Sequence, residues 1–176
     1  MPTGKPRSGE SRPVRAVLDT NVMISGILHH GRAREVIEAA VEGRLTVVTS
    51  QALVSEFSSV ISREKFGLSG EEQDRLVRLV LSLAEVVRVR SRFRVVKDDP
   101  SDDAVLRAAV DGKVGFIISG DQHILSLRRF RGVRILGVAE ALEMLETREA
   151  MGLTEKSLAD FLNGEPDIYS EKDVKG

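Results

Sequence analysis

The strongest constraint on this chain is an alternation of two periodicities. Short apolar runs recur along it: VRAVLDTNV from residue 14, LTVVTS over 45–50, VGFIISGD over 114–121 and VRILG over 133–137. Such runs have the length of buried strands. Longer stretches with apolar residues three and four apart separate most of them. Strands joined through helices lie parallel and are covered on both faces, with right-handed crossovers. The expected fold class is therefore α/β: a three-layer α/β/α sandwich with a central, mainly parallel sheet.

The intervening segments carry their own signals. RAREVIEAAVEGR has apolar positions at 33, 36, 37, 40 and 41, with Gly43 near its stop. A loop is expected around Ser25 to Gly31. QALVSEFSSVISREKF reads as a helix with Leu53, Phe57 and Ile61 on one face and Ser50 as its N-cap. In LSGEEQDRLVRLVLSLAEVV, Ser69 and Glu72 fit a capping box, and Leu76, Val80 and Leu83 form a stripe. Residues 87–96 alternate like a strand with arginines on one face. A helix is expected to start just after Pro100, a short one over QHILSLRRF, and a last one over VAEALEMLE. These readings divide the chain into a disordered tail over 1–13, a domain over 14–146, and a partly helical or disordered extension over 147–176, with a helix near TEKSLADFLNG.

Two strand-like runs end in aspartate. AVLD places Asp19 at a carboxyl end, and FIISGD places Asp121 just beyond another. In open α/β sheets, ligands bind in the crevice outside those ends. Asp98, Asp99, Asp102 and Asp103 cluster before the helix that lies between these runs in sequence, and Glu56 lies on a helix that starts at a third strand end. Carboxylates converging on one cleft repel one another, and a divalent cation such as Mg²⁺ or Mn²⁺, which takes hard oxygen ligands, resolves the conflict. A metal so held activates water and stabilises charge on a phosphodiester. Asn21 could orient a ligand or water. Each residue also has a plain structural use. Asp102 would cap the helix that Asp103 begins, Asp98 and Asp99 are turn formers before Pro100, and Ser119 could fill a strand-to-loop corner.

Composition closes off other classes. The chain has no cysteine, which excludes disulfides, a thiol nucleophile and a thiolate zinc site. Its net charge of −1 does not announce a nucleic-acid binder, yet Arg88, Arg90, Arg92, Arg94 and Lys97 form one basic stretch and Arg128, Arg129, Arg131 and Arg134 another. No segment has the length of a membrane span, and no apolar run of signal-peptide type follows the basic start. A soluble cytoplasmic protein is the expectation.

VLDTNVMISGIL, SQALVSEFSSVI, DDPSDDAVLRAAVDGKVGFIISGDQHIL and VRIL closely resemble the PIN-domain nucleases, over roughly residues 14–146. The nearest branch is the bacterial and archaeal one described as toxin components of toxin–antitoxin pairs. DTN alone is a weak signature; the ordered set is a strong one. The resemblance implies an acidic pocket binding Mg²⁺ or Mn²⁺ and hydrolysis of RNA phosphodiesters by water activated at the metal, with no covalent intermediate. Carried over by position, the metal acids are Asp19, Glu56, Asp103 and Asp121, with Asp102 as a further or alternate ligand and Asn21 and Ser119 as supporting polar residues. It also implies RNA as substrate, a small antitoxin as partner, and a homodimer or homotetramer.

Other readings compete. An RNA- or antitoxin-binding domain of the same fold with little catalytic activity would share every motif. A receiver domain would need an acidic pair after its first strand and a late lysine. A phosphatase with an aspartyl nucleophile would need D-x-D where this chain has Asp19, Thr20 and Asn21. A nucleotide-binding Rossmann domain would need a glycine-rich loop after Asp19, which is absent.

Overall fold

The structure, a computed structural model, describes residues 12–96, 99–152 and 162. Residues 1–11 of the tail expected over 1–13, Lys97, Asp98 and nearly all of the expected helix over 154–164 lie outside the described residues. A six-stranded sheet has the order β3-β2-β1-β4-β6-β5. Its strands are β1 (Val14–Leu18), β2 (Leu45–Ser50), β3 (Ala84–Val87), β4 (Phe116–Ile118), β5 (Arg129–Phe130) and β6 (Val133–Leu136). All pairings are parallel except β5 with β6.

The helices are α1 (Thr20–Leu28), α2 (Arg32–Val41), α3 (Gln51–Ile61), α4 (Gly70–Leu83), α5 (Pro100–Asp111), α6 (Gln122–Leu125) and α7 (Val138–Met151). They fall into two layers because side chains alternate across each strand. Ala16, Leu18, Val47, Phe116 and Ile118 point to one face, where they pack with α1, α2, α4 and α7. Val17, Val48 and Ile117 point to the other, against Val105, Leu106, Ala108 and Ala109 of α5 and Ile124 of α6. Helix α3 serves both: Phe57 and Ile61 join the first cluster and Leu53 the second. This is the expected α/β/α sandwich. Helix α7 runs five residues past position 146 and buries Leu145 and Arg148.

Several local expectations are met atom for atom. Ser50 accepts from the Leu53 N–H at 3.3 Å. The Ser69 hydroxyl accepts from Glu72 N–H at 3.2 Å, while Ser69 N–H donates to Glu72 Oε2 at 2.7 Å. Others are corrected. The chain is helical from Thr20 to Leu28, where the strand was expected to end at Asp19 and a loop to lie around Ser25 to Gly31. Helix α1 is buried around much of its circumference, so it shows no amphipathic stripe in sequence. Gly26 explains how it fits: a Cβ there would lie 2.5 Å from Ile37 Cγ1 and 2.6 Å from the Ala33 carbonyl oxygen on α2. The AEVV that ended an expected helix is strand β3, and the Arg129–Phe130 that ended another is strand β5.

The strand expected over 87–96 is not one. Beyond Val87 the chain leaves the sheet as a strap, in no helix or strand, whose backbone bonds to side chains of α5. Asp111 accepts from Arg90 N–H at 2.6 Å and from Ser91 N–H at 2.8 Å. Arg107 donates twice to the Phe93 carbonyl, at 2.9 and 2.6 Å. Asp103 Oδ1 accepts from Val95 and Val96 N–H at 2.8 and 3.0 Å. Residues 103, 107 and 111 are spaced four apart and share one helix face. The strap therefore runs antiparallel to α5. The alternation that suggested a strand survives in it: Arg88, Arg90, Arg92 and Arg94 are exposed and Val89, Ser91 and Phe93 turn inward.

Candidate metal centre

Strand order reverses between β1 and β4: the chain leaves β1 toward β2 and β3 on one side, and leaves β4 toward β6 on the other. That is where an open α/β sheet offers a crevice at its carboxyl ends. Asp19 follows β1, and its N–H extends the ladder to the Ile118 carbonyl at 2.9 Å. Ser119 follows β4 and is fully buried. Its hydroxyl donates to Asp19 Oδ2 at 2.7 Å and accepts from Asp121 N–H at 3.0 Å. One small side chain thus ties together the two acids that the sequence placed at strand ends.

The start of α5 faces them. Asp99 caps this helix, with its Oδ1 accepting from Ser101 N–H at 3.0 Å and from the Ser101 hydroxyl at 2.5 Å. Asp121 caps α6, its Oδ1 accepting from His123 N–H at 2.8 Å. One carboxylate oxygen from each of Asp99, Asp102 and Asp121 lies within 4.8 Å of the others. Asp102 is the most deeply placed of the three, at 3 % exposure. Its Oδ2 is buried without a hydrogen-bond partner among the described residues.

The electrostatics match the geometry. Burial, and then the negative charges of Asp99, Asp121 and Asp19, push the Asp102 carboxyl up to about 6, against a smaller opposing effect of His123. Burial also raises the Asp19 carboxyl, although the Ser119 hydroxyl and the Asn21 backbone pull it partly back. An unpartnered anionic oxygen in such a group is unfavourable unless a cation neutralises it. The donor set, hard carboxylate oxygens, fits a divalent ion of the Mg²⁺, Mn²⁺ or Ca²⁺ kind.

The other residues singled out from sequence fall around this group. Glu56 on α3 is half-buried and accepts from the Thr20 hydroxyl at 2.8 Å, one residue along from Asp19. It is outside the close group of three. The Asn21 side chain is exposed. The Oδ1 of Asp103, expected from the resemblance as a metal acid, is engaged by the strap backbone, and Asp103 is not among the three grouped acids. Helix phase explains the division of the Asp102–Asp103 pair. Asp102 continues the stripe of Val105, Leu106 and Ala109 toward the sheet, whereas Asp103 continues the polar row of Arg107 and Asp111. That signal was present in the sequence. Asp99 belongs to the acidic cluster before α5 but not to the metal acids that the resemblance implies, and its place in the group depends on how α5 docks.

Comparison with known proteins agrees with this architecture. No curated protein matches the sequence. Among solved structures, the chain resembles VapBC2 of Rickettsia felis, described as bound to a DNA fragment from its promoter, with TM-score 0.52 and 13 % identity over 70 % of this chain and 98 % of that one. It also resembles PAE2754 of Pyrobaculum aerophilum, with TM-score 0.52 and 13 % identity over 84 % of this chain and 99 % of that one. At such identities the likeness is one of fold. The sequence itself matches the model of the PIN domain over residues 15–123. Because that match takes in more than half of the sequence, the chain belongs to the PIN-domain family.

Proposed function

We propose that this protein is a divalent-metal-dependent endoribonuclease that hydrolyses RNA phosphodiester bonds. The observation that carries this reading is the close group of Asp99, Asp102 and Asp121 beside Asp19, with a buried carboxylate oxygen left without a partner. Membership of the PIN-domain family supports it.

In this proposal Asp19, Asp102 and Asp121 hold the cation, with Asp99 beside them. Mg²⁺ or Mn²⁺ would supply charge neutralisation and Lewis acidity toward a phosphodiester. Ser119 fixes the Asp19 carboxylate and the Asp121 backbone at their observed separation. Glu56, steadied by the Thr20 hydroxyl, positions the attacking water and takes its proton. Asp103 acts through the strap it holds. RNA is the substrate, and the toxin role in a toxin–antitoxin pair, with a small antitoxin and a homodimeric or homotetrameric assembly, follows from the same family reading. The described residues contain no helix long and apolar enough to cross a membrane, which suits the cytoplasmic setting this role needs.

The test is cleavage of a labelled RNA pool by purified protein with Mg²⁺ or Mn²⁺, compared with Asp19→Asn and Asp102→Asn. Cleavage by the wild type that both substitutions abolish is the expected result. RNA binding without cleavage under either metal would replace this reading with that of a binding domain of the same fold.

A further inference from the structure

The strap exposes four arginines at alternate positions. Arg88, Arg90, Arg92 and Arg94 are exposed, and Val89, Ser91 and Phe93 between them are partly buried. Residues two apart in an extended chain are about 6.6 Å apart, close to the phosphate repeat of an extended nucleic-acid single strand. Among the described residues, Arg88, Arg92 and Arg94 form no ion pair, while Arg90 lies near Asp111. Their charge is left for solvent or a ligand.

The line is held on a rigid support and aimed. Three side chains of α5 hold the strap's inward groups, at Ser91, Phe93 and Val95–Val96. From the other side, the Phe130 ring lies 5.3 Å from that of Phe93, and the Arg131 guanidinium sits 4.4 Å from the Phe93 ring centre. Arg131 adds a fixed positive charge to the same surface. Along the chain, Arg94 precedes Asp99 of the acidic group by five residues, at most about 18 Å of extended backbone. A polyanion lying on the row is therefore led toward the carboxyl ends of the sheet.

We propose that Arg88, Arg90, Arg92 and Arg94 form a track for the phosphate backbone of single-stranded RNA, one phosphate to each guanidinium, which delivers the strand to the acidic group. This rests on the nuclease reading above and adds the form of the substrate and the direction of its approach. A single row of charges on a strap suits one flexible strand that can follow it. A duplex would present two backbones to a row that can follow one. With no base-reading groups in the row, binding is expected to be indifferent to sequence and dependent on salt.

The test is fluorescence anisotropy with a labelled oligouridylate, using the full chain in Ca²⁺ across a salt series. The variants are Arg92→Gln, Arg94→Gln, the fourfold Arg→Gln change of the row, and the exposed Arg78→Gln on α4 as control. Each single change is expected to flatten the plot of log K against log salt by about 0.7, and the fourfold change by about 2.8. Arg78→Gln should leave the plot as in wild type. The two single variants decide the matter if the fourfold variant is unfolded by circular dichroism. Row variants that bind with the wild-type slope, or a blunt RNA duplex that binds as tightly as the single strand, would overturn the track. Cleavage of a short RNA by wild-type protein is scored separately. Row-dependent binding without cleavage supports the track and removes the nuclease reading; cleavage with row-independent binding does the reverse.

Discussion

Asp102 and Asp103 are neighbours at the start of α5 and serve different sides of it. The Asp102 carboxylate faces Asp99 and Asp121 with one oxygen buried and unpartnered, and the Asp103 carboxylate accepts two backbone N–H groups of the strap. Substitution should separate them. Asp102→Asn is expected to lower RNA cleavage by more than about 100-fold while the fold is kept, since removing even an outer partner of a metal site commonly costs 10- to 100-fold. Asp103→Ala strands two N–H groups that had a charged acceptor, and should cost about 2–4 kcal/mol of stability by urea denaturation. Equal loss of stability in both variants would show that the two carboxylates do not have separate roles.

The raised Asp102 carboxyl makes a prediction about pH. Its value in the fold is about 6 against 3.8 for the free group, so the folded state binds this proton more tightly than the unfolded one. Without metal, this group's contribution to stability should fall as pH rises from about 4 to about 6, and level off above, by on the order of 2–3 kcal/mol. Thermal melts in chelator across that range should show the decline in wild type and a shallower one in Asp102→Asn. Adding Mn²⁺ at neutral pH should raise the melting temperature of wild type more than that of the variant.

Ser119→Ala removes one hydroxyl that serves both strand ends. It should cost about 1–2 kcal/mol, and weaken metal binding and cleavage about 10- to 100-fold. The Asp19 carboxyl, which this hydroxyl pulls down against burial, should move further up. The acid limb of the pH–rate profile should then shift to higher pH. Mn²⁺ affinity equal to that of wild type would remove Ser119 from the site.

Gly26→Ala tests the packing of α1 on α2. The added methyl would meet Ile37 Cγ1 and the Ala33 carbonyl well inside van der Waals contact. Overpacking of this kind typically costs about 1–3 kcal/mol, which outweighs the gain of alanine over glycine in a helix. A melting temperature at or above that of wild type would show that the two helices separate easily.

The strand ends were legible because β1, β2 and β4 are short, apolar and followed at once by polar residues, and β6 by a glycine. The capping box at Ser69 and Glu72 and the start of α5 at Pro100 were legible for a similar reason: the chemistry that sets them is local. Helix α1 was not. Val22, Met23, Ile24 and Gly26 are buried by different neighbours, and the amphipathic period is lost. The strap was half legible. Its alternation is real, but whether such a segment joins a sheet depends on what lies beside it, and α5 offers Asp103, Arg107 and Asp111. For the site, Asp19 and Asp121 followed from strand ends alone. Asp102 needed the phase of α5, and Asp99 needed its docking.

The hydrogen bonds of the strap join residues between 7 and 21 positions apart, whereas the bond from Ser119 to Asp19 joins residues 100 apart. Closing a short loop loses less chain entropy than closing a long one, and contacts of low sequence separation form sooner. The strap and α5 are thus a unit that can assemble early in folding, as soon as residue 111 is free to fold. The acidic group has to wait until β1 and β4 meet. The chain is therefore expected to acquire its row of arginines during folding before it acquires a complete set of carboxylates.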